Sequence, residues 1–195
     1  MSATWTCDCG ETSATIPTKG TGRAVCYCRD CQAFALLAAD GRSLDAAGGS
    51  DLILTTPGAV TITKGDENLR CLRLSDKGPI RWYTACCGAP MSNVLGNPKL
   101  PYASLTTRGF KDQSKFGPVR LRTNRKEATQ RVTQPKGSLP RTILSVIRRG
   151  LTSRITGKYR TSPFFNPDGK PSSDIRSPTA EERARIYPTE DNQLT

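Results

Sequence analysis

The chain has 195 residues with eight cysteines and no histidine, and its formal net charge is +12. Without histidine, any zinc ion must be held by thiolate or carboxylate, and the commonest general base of enzymes is absent. The longest apolar run, residues 33–39, is far too short to span a bilayer, which argues against an integral membrane protein.

Seven of the eight cysteines fall into three clusters along the chain. The clusters are Cys7 with Cys9, then Cys26, Cys28 and Cys31, then the adjacent pair Cys86 and Cys87. Thiols at C-x-C or C-x-x-C spacing can direct their sulfurs at one point, so each cluster predicts half or more of a metal site. Cys71 stands alone among apolar residues, and we expect it to pack as a small hydrophobic side chain.

A disulfide framework is the competing interpretation of these cysteines. Residues 1–9 lack the basic and apolar regions of a secretory signal, so nothing in them indicates export. Cytosolic thiols stay reduced, and residues two apart form disulfides poorly. We therefore favour metal over disulfides and expect a soluble, cytoplasmic protein.

Turn-forming residues divide the first part of the chain into short candidate strands. The strands predicted are 22–27, 51–55, 59–64, 69–74, 79–85, 91–94 and 102–105. Pairs such as Pro57-Gly58 lie between them, and Val60 and Ile62 alternate with threonine in the manner of a half-buried strand. The sequence predicts a mainly β domain of antiparallel sheets over residues 1–118.

Residues 119–195 form a basic C-terminal extension. Between positions 120 and 160, twelve cations are opposed only by Glu127. This charge fits a surface for nucleic acid or an anionic membrane, but we favour an ordinary solvated surface, since no nucleic-acid motif accompanies it. After residue 159 the Pro- and Ser-rich chain is predicted to be extended, with Phe164 and Phe165 as its anchors.

One amphipathic helix is predicted in the extension, at about residues 140–156. Apolar residues recur there every four positions, at Leu139, Ile143, Ile147, Leu151 and Ile155. We expect this stripe to pack on the β domain, the alternative being a helix that binds a membrane surface or a partner.

The order of the clusters and strands resembles the glutathione-dependent formaldehyde-activating family, to which centromere protein V is related. The resemblance covers about residues 4–110 and depends on the C-x-C pair, the C-x-C-x-x-C run after a strand, and Cys87-Gly88 after several more strands. It implies a zinc-binding β-tent fold with two zinc ions, one structural and one that does the chemistry.

The structural zinc implied by the resemblance would be held by the first and last clusters. Cys7, Cys9 and Cys87 match the family pattern, but Thr84 stands where a further cysteine is usual, and Cys86 precedes Cys87 instead. Either both adjacent thiolates bind the ion, or one binds and the site is completed otherwise. We favour both, because structural zinc sites are almost always closed by four ligands.

The second zinc implied by the resemblance would be held by Cys26, Cys28 and Cys31, which match the family without a gap. Three protein ligands leave one position of a tetrahedral ion open, as in catalytic sites, and three thiolates favour a soft ligand such as a thiol. The resemblance implies a carbon-sulfur lyase of the S-hydroxymethylglutathione synthase type, in which a zinc-bound glutathione thiolate captures formaldehyde.

Other residues near the clusters have less specific roles. Arg29 and Arg81 are candidates to bind glutathione carboxylates, although surface cations are common. Asp30 is a candidate proton acceptor or, more simply, a turn cap. The alternative to an enzyme is a non-catalytic zinc module whose basic extension binds nucleic acid or a partner.

Overall fold

The computed structural model describes residues 1–135 and 139–187, and leaves 136–138 and 188–195 outside the description. In the described part, eleven strands form two sheets, together with three α-helices. The strands are β1 Ser2–Thr6, β2 Ser13–Pro17, β3 Gly22–Cys26, β4 Ser50–Thr55, β5 Thr61–Lys64, β6 Leu69–Leu72, β7 Ile80–Thr84, β8 Pro90–Val94, β9 Ala103–Thr106, β10 Leu121–Thr123 and β11 Ile175–Arg176. The helices are α1 Arg29–Ala39, α2 Leu139–Ile155 and α3 Ala180–Ile186.

The mainly β prediction is confirmed, and all seven predicted strands are present with ends shifted by no more than two residues. The smaller sheet has the order β1-β2-β5, and the larger has β10-β3-β4-β9-β8-β7-β6-β11. The inner pairs are antiparallel, but edge strands β10 and β11 pair in parallel with β3 and β6. Both edge strands come from the extension, so the extension is hydrogen-bonded to the larger sheet.

The main core lies between the two sheets. In β1 the side chains of Ala3 and Trp5 are buried and alternate with more exposed neighbours, which is the period of a strand covered on one face. Phe164, from the extension, is fully buried with its ring centroid 5.2 Å from that of Trp82. The predicted anchoring role of Phe164 and Phe165 is confirmed, since both are buried in this core.

Helix α1 was not predicted from the sequence. It begins directly after Cys28 and ends at Asp40, which adopts a left-handed conformation with φ of 48°. Ala33 and Phe34 pack with strand residues and with Ile186 of α3, so α1 lies between the larger sheet and the C-terminal helix. Its alanine- and leucine-rich composition and the Asp40-Gly41 stop are the signals that could have identified it.

Helix α2 occupies the predicted place, but the predicted packing of its apolar stripe on the β domain is wrong. Ile143, Ile147, Leu151 and Ile155 are all exposed, and the side chain of Leu139 lies outside the described part. None of the described helices is long and apolar enough to cross a membrane.

Candidate metal centres

The first centre, the four-cysteine group, consists of Cys7, Cys9, Cys86 and Cys87. Their sulfur atoms all lie within 4.8 Å of one another. Cys7 Sγ is 3.5 Å from Cys9 Sγ and 3.7 Å from Cys86 Sγ. Cys7 and Cys9 lie in the β1–β2 connection and the other two in the β7–β8 turn, so this group joins the two sheets. Both adjacent thiols belong to it.

Local backbone geometry positions these four thiols. The Thr12 N–H lies 3.2 Å from Cys7 Sγ, and Thr84, which replaces the expected cysteine, places its hydroxyl 3.5 Å from Cys87 Sγ. Gly88 has φ of 70°, and a Cβ there would lie 2.3 Å from the carbonyl oxygen of Ala38. Glycine is therefore required for the turn to approach the C-terminal end of α1.

The thiols of this group affect one another's ionisation. Burial opposes ionisation of Cys87, but hydrogen bonds from Thr84 and from backbone N–H groups lower its pKa to about 6. A backbone hydrogen bond near Glu11 favours the Cys9 thiolate, yet the neighbouring thiols, Cys86 first, raise its pKa to about 12. Four sulfurs this close cannot all be anionic without a cation among them, so the donor set fits a divalent metal ion.

The second centre, the three-cysteine group, consists of Cys26, Cys28 and Cys31, with sulfurs again within 4.8 Å of one another. Cys26 ends β3, Cys28 is the N-cap of α1, and Cys31 lies in the first turn of that helix. The Cys31 N–H donates to the Cys28 carbonyl over 2.9 Å. Because a helix N-terminus carries partial positive charge, this placement helps to stabilise a thiolate anywhere within the group.

Ionisation is shared unequally within the three-cysteine group. The neighbouring thiols, Cys28 and then Cys31, lower the pKa of Cys26 to about 2. The proximity of Cys26 in turn raises the pKa of both Cys28 and Cys31. Without metal, one thiolate is therefore stabilised by two thiols, and full deprotonation of the group requires a cation. This set also fits a metal ion.

A cavity of about 440 Å³ adjoins the three-cysteine group. All three cysteines line it. Its other walls combine apolar and polar side chains, among them Leu52, Leu54, Tyr102, Leu121, Arg81, Asn93 and Ser104. The size and the mixed lining suit a small molecule with one apolar and one polar part.

Arg81 is a buried cation beside the thiols and not the surface cation that sequence reasoning offered as the alternative. It is only 2% exposed, and one guanidinium nitrogen donates to Asn93 Oδ1 over 2.9 Å and lies 3.9 Å from Cys31 Sγ. Another nitrogen is 3.7 Å from Asp30 Oδ2. This arrangement places a fixed positive charge next to the three-cysteine group and on the cavity wall.

Arg29 also lines the cavity, at the start of α1. Its guanidinium lies 5.2 Å from the ring centroid of Tyr187, and its backbone N–H donates to Glu127 Oε2 over 2.6 Å. Binding of a ligand carboxylate by Arg29 or Arg81 stays a prediction.

Three neighbours of this centre were missed by sequence reasoning because they come from the extension. Tyr187 donates to Asp30 Oδ1 over 2.7 Å. Asn124, in a left-handed conformation after β10, places its amide nitrogen 3.7 Å from Cys26 Sγ, and Glu127 reaches the N-terminus of α1. Only the parallel pairing of β10 with β3, which no local pattern predicts, brings Asn124 and Glu127 here.

Some cations of the extension bind its own backbone. Arg122 donates to the Thr133 carbonyl over 3.2 Å, and Arg125 donates to the Val132 carbonyl over 3.1 Å. These two guanidinium groups therefore hold the loop after β10 in shape. Binding of nucleic acid by the extension stays a prediction.

The fold and these two centres define a mainly β protein with two cysteine groups that could each hold a metal ion. A model for a family of unknown function, DUF6151, matches residues 2–176, and the chain belongs to that family. A crystal structure of a Rhodobacter sphaeroides protein is similar at 16% identity and a TM-score of 0.43, covering 62% of this chain and 99% of that chain. No curated protein matches the chain.

Proposed function

We propose that this protein is a zinc-dependent carbon-sulfur lyase-type enzyme acting on the formaldehyde adduct of glutathione or another small thiol. The observation that carries the proposal is that the three-cysteine group opens onto a cavity of about 440 Å³. The four-cysteine group then holds a structural zinc within a β-tent fold. A site with three protein ligands and adjoining space for a ligand suits chemistry better than a closed site does.

Zinc bound by Cys26, Cys28 and Cys31 would act as a Lewis acid that converts an incoming thiol to thiolate. The ligand's sulfur would form a bond to the carbonyl carbon of formaldehyde as the carbon-oxygen π bond breaks, and the proton that the thiol had lost would return, through solvent, to the carbonyl oxygen. The reverse reaction breaks the same carbon-sulfur bond and returns that proton. Little beyond orientation and a deprotonated sulfur is needed, which agrees with the absence of histidine.

Arg81 supports this chemistry through charge. Three thiolates around a divalent ion leave a net charge of about −1, and a further thiolate makes it more negative. The guanidinium 3.9 Å from Cys31 Sγ offsets that charge. Its Nε atom is buried and has no hydrogen-bond partner within the described part of the chain, so the positive charge is not fully compensated by the protein around it.

The cavity walls would orient the rest of the ligand. Asn93 accepts from Arg81 and donates to Ser104 Oγ over 3.2 Å, which fixes a row of polar groups on one wall. Leu52 and Leu54 line the same space from β4 and give it an apolar wall. The polar row would bind the amide or hydroxymethyl part of the adduct, and the apolar wall its methylene groups.

The proposal is tested with zinc-loaded protein, glutathione and formaldehyde. Adduct formation should exceed the spontaneous rate, and Cys28→Ser should abolish this acceleration. Cys71→Ser, at the buried cysteine that belongs to neither group, should retain it. The proposal is rejected if the wild type gives no acceleration and calorimetry detects no binding of glutathione.

A further inference from the structure

Helix α2 presents most of its apolar side chains to solvent, and it presents mainly small and polar side chains to the protein. The outward stripe is between 49% and 85% exposed at each of its members. These members are Ile143, Leu144, Ile147, Leu151 and Ile155. Apart from the adjacent pair Ile143 and Leu144, successive members lie three or four residues apart along about three turns, so they form one continuous face.

The inward face of α2 is poorly suited to a protein core. Val146 packs against a small cluster that contains Ala24 and Leu54, but Ser153 is buried with its hydroxyl lacking a hydrogen-bond partner within the described residues. All three guanidinium nitrogens of Arg149 are likewise buried and unpartnered there. A helix that only covered a sheet would face the other way, because burying unpaired polar groups costs free energy. The orientation leaves a complete apolar face available for contact.

Positive charge surrounds this face. Between residues 128 and 167 the sequence has eight cations and no carboxylate. Arg148 and Arg154 are exposed on α2, and Lys158 and Arg160 are exposed directly after it. Arg154 follows Leu151 by three residues, so it lies along the apolar stripe, where its long stem can lie flat with the charge at the edge.

We propose that α2 binds the surface of an anionic phospholipid bilayer. The helix has 17 residues and is about 25 Å long, which suits a helix lying in the plane of the interface. Ile147 and Leu151 enter the boundary between headgroups and acyl chains, and Arg148 and Arg154 contact lipid phosphates. Apolar area and positive charge on one face are the two features that such binding combines.

The same face is less suited to two other occupants. A second copy of the chain would bring Arg154 and its neighbouring cations together with no carboxylate from this segment to neutralise them. Nucleic acid would use the cations but would leave Leu144, Ile147 and Leu151 without apolar partners, since such interfaces are polar. An anionic bilayer offers apolar acyl chains to the stripe and phosphates to the cations around it.

The test is co-sedimentation of the full-length, zinc-loaded protein with vesicles. We expect binding to vesicles of phosphatidylcholine with about 30% phosphatidylserine to be at least about tenfold tighter than to phosphatidylcholine alone. The combined change Leu144→Ser and Leu151→Ser should weaken it at least about tenfold. Both side chains are exposed, so the fold should not depend on them.

The control is Ile175→Ser, because Ile175 is exposed at the edge of the larger sheet, outside α2. This variant should bind anionic vesicles like the wild type. The proposal is overturned by equal affinity for the two vesicle types or by binding that survives the double change. The proposal is also overturned if the wild-type protein does not bind vesicles and the double change instead abolishes its self-association or its retention on duplex DNA.

Discussion

The two cysteine groups lie at opposite ends of one helix and differ in what they join. The four-cysteine group connects turns of the two sheets and contacts the C-terminal end of α1 through Gly88. The three-cysteine group lies at the N-terminus of α1, beside a buried arginine and a cavity. On the proposed function, similar donor atoms would serve stability where they link the two sheets, and chemistry where they adjoin space for a ligand.

The largest expected effect is on stability, from Cys7→Ser in the four-cysteine group. Cys7 is buried and lies close to two other thiols, so its loss should remove one zinc per chain and lower the free energy of unfolding by about 3 kcal/mol or more. Metal content and thermal unfolding measure the two quantities. Cys71→Ser is the matched control and should retain both ions; a Cys7→Ser protein with two zincs and normal stability would contradict a structural role.

Cys28→Ser in the three-cysteine group should, unlike Cys7→Ser, affect activity much more than stability. Serine is a favoured N-cap residue, so α1 should still begin at this position. The free energy of unfolding should therefore fall by only about 1 kcal/mol. One zinc should be lost and adduct formation should fall to the spontaneous rate. Metal analysis, unfolding and kinetics on one preparation separate these effects. Destabilisation as large as that of Cys7→Ser would remove the distinction between the groups.

Arg81→Gln should weaken binding of the thiol about tenfold, because it removes a buried cation 3.9 Å from Cys31 Sγ. Calorimetric titration with glutathione measures this affinity. The matched control is Arg108→Gln, since Arg108 bonds Asp8 over 3.1 Å beside the four-cysteine group. If both variants bind glutathione equally, the charge next to the thiols does not matter for ligand binding.

The smallest expected effect is at α3, which packs against α1. Arg176, which bonds Glu182 over 2.7 Å, lowers the pKa of that carboxyl below its usual 4.5. The carboxylate is therefore favoured in the folded protein, and its stabilisation is present at neutral pH and lost as the pH falls through the lowered pKa. Glu182→Gln should remove this dependence on acid pH and lower the stability of the folded α3 by about 0.5 kcal/mol. Faster amide hydrogen exchange in α3 would measure both changes.

Glu181→Gln is the control for that measurement, because Glu181 is exposed in the same first turn of α3. Its exchange rates should follow those of the wild type between neutral and acid pH. An unchanged acid dependence in Glu182→Gln would show that the Arg176 contact does not hold α3 in place.

Local patterns were enough to predict the seven strands and the three cysteine clusters, because turn residues and ligand spacing are properties of short segments. That the first and last clusters share one group was implied only by the family resemblance. Local patterns missed β1 and β2, which have five residues and one large apolar side chain each, Trp5 and Ile16, and they missed α1. The partners Asn124 and Tyr187 depend on long-range packing of the extension.

Helix α2 shows the same limit of sequence patterns. The four-residue spacing of Ile143, Ile147 and Leu151 predicted a helix with one apolar face, and that helix is present. Periodicity defines a face but not the direction in which it points. The orientation follows instead from contacts such as that of Val146 with the cluster around Leu54.

The most direct test of the two unequal groups is titration of cobalt-substituted protein with glutathione, followed by absorption spectroscopy. Two ions per chain are predicted, and the thiol should change the thiolate-to-cobalt and ligand-field bands of one ion only. Cys28→Ser should lose that responsive ion and retain the other. A single ion per chain, or two ions whose spectra do not change at saturating thiol, would contradict the division into a structural and a working centre.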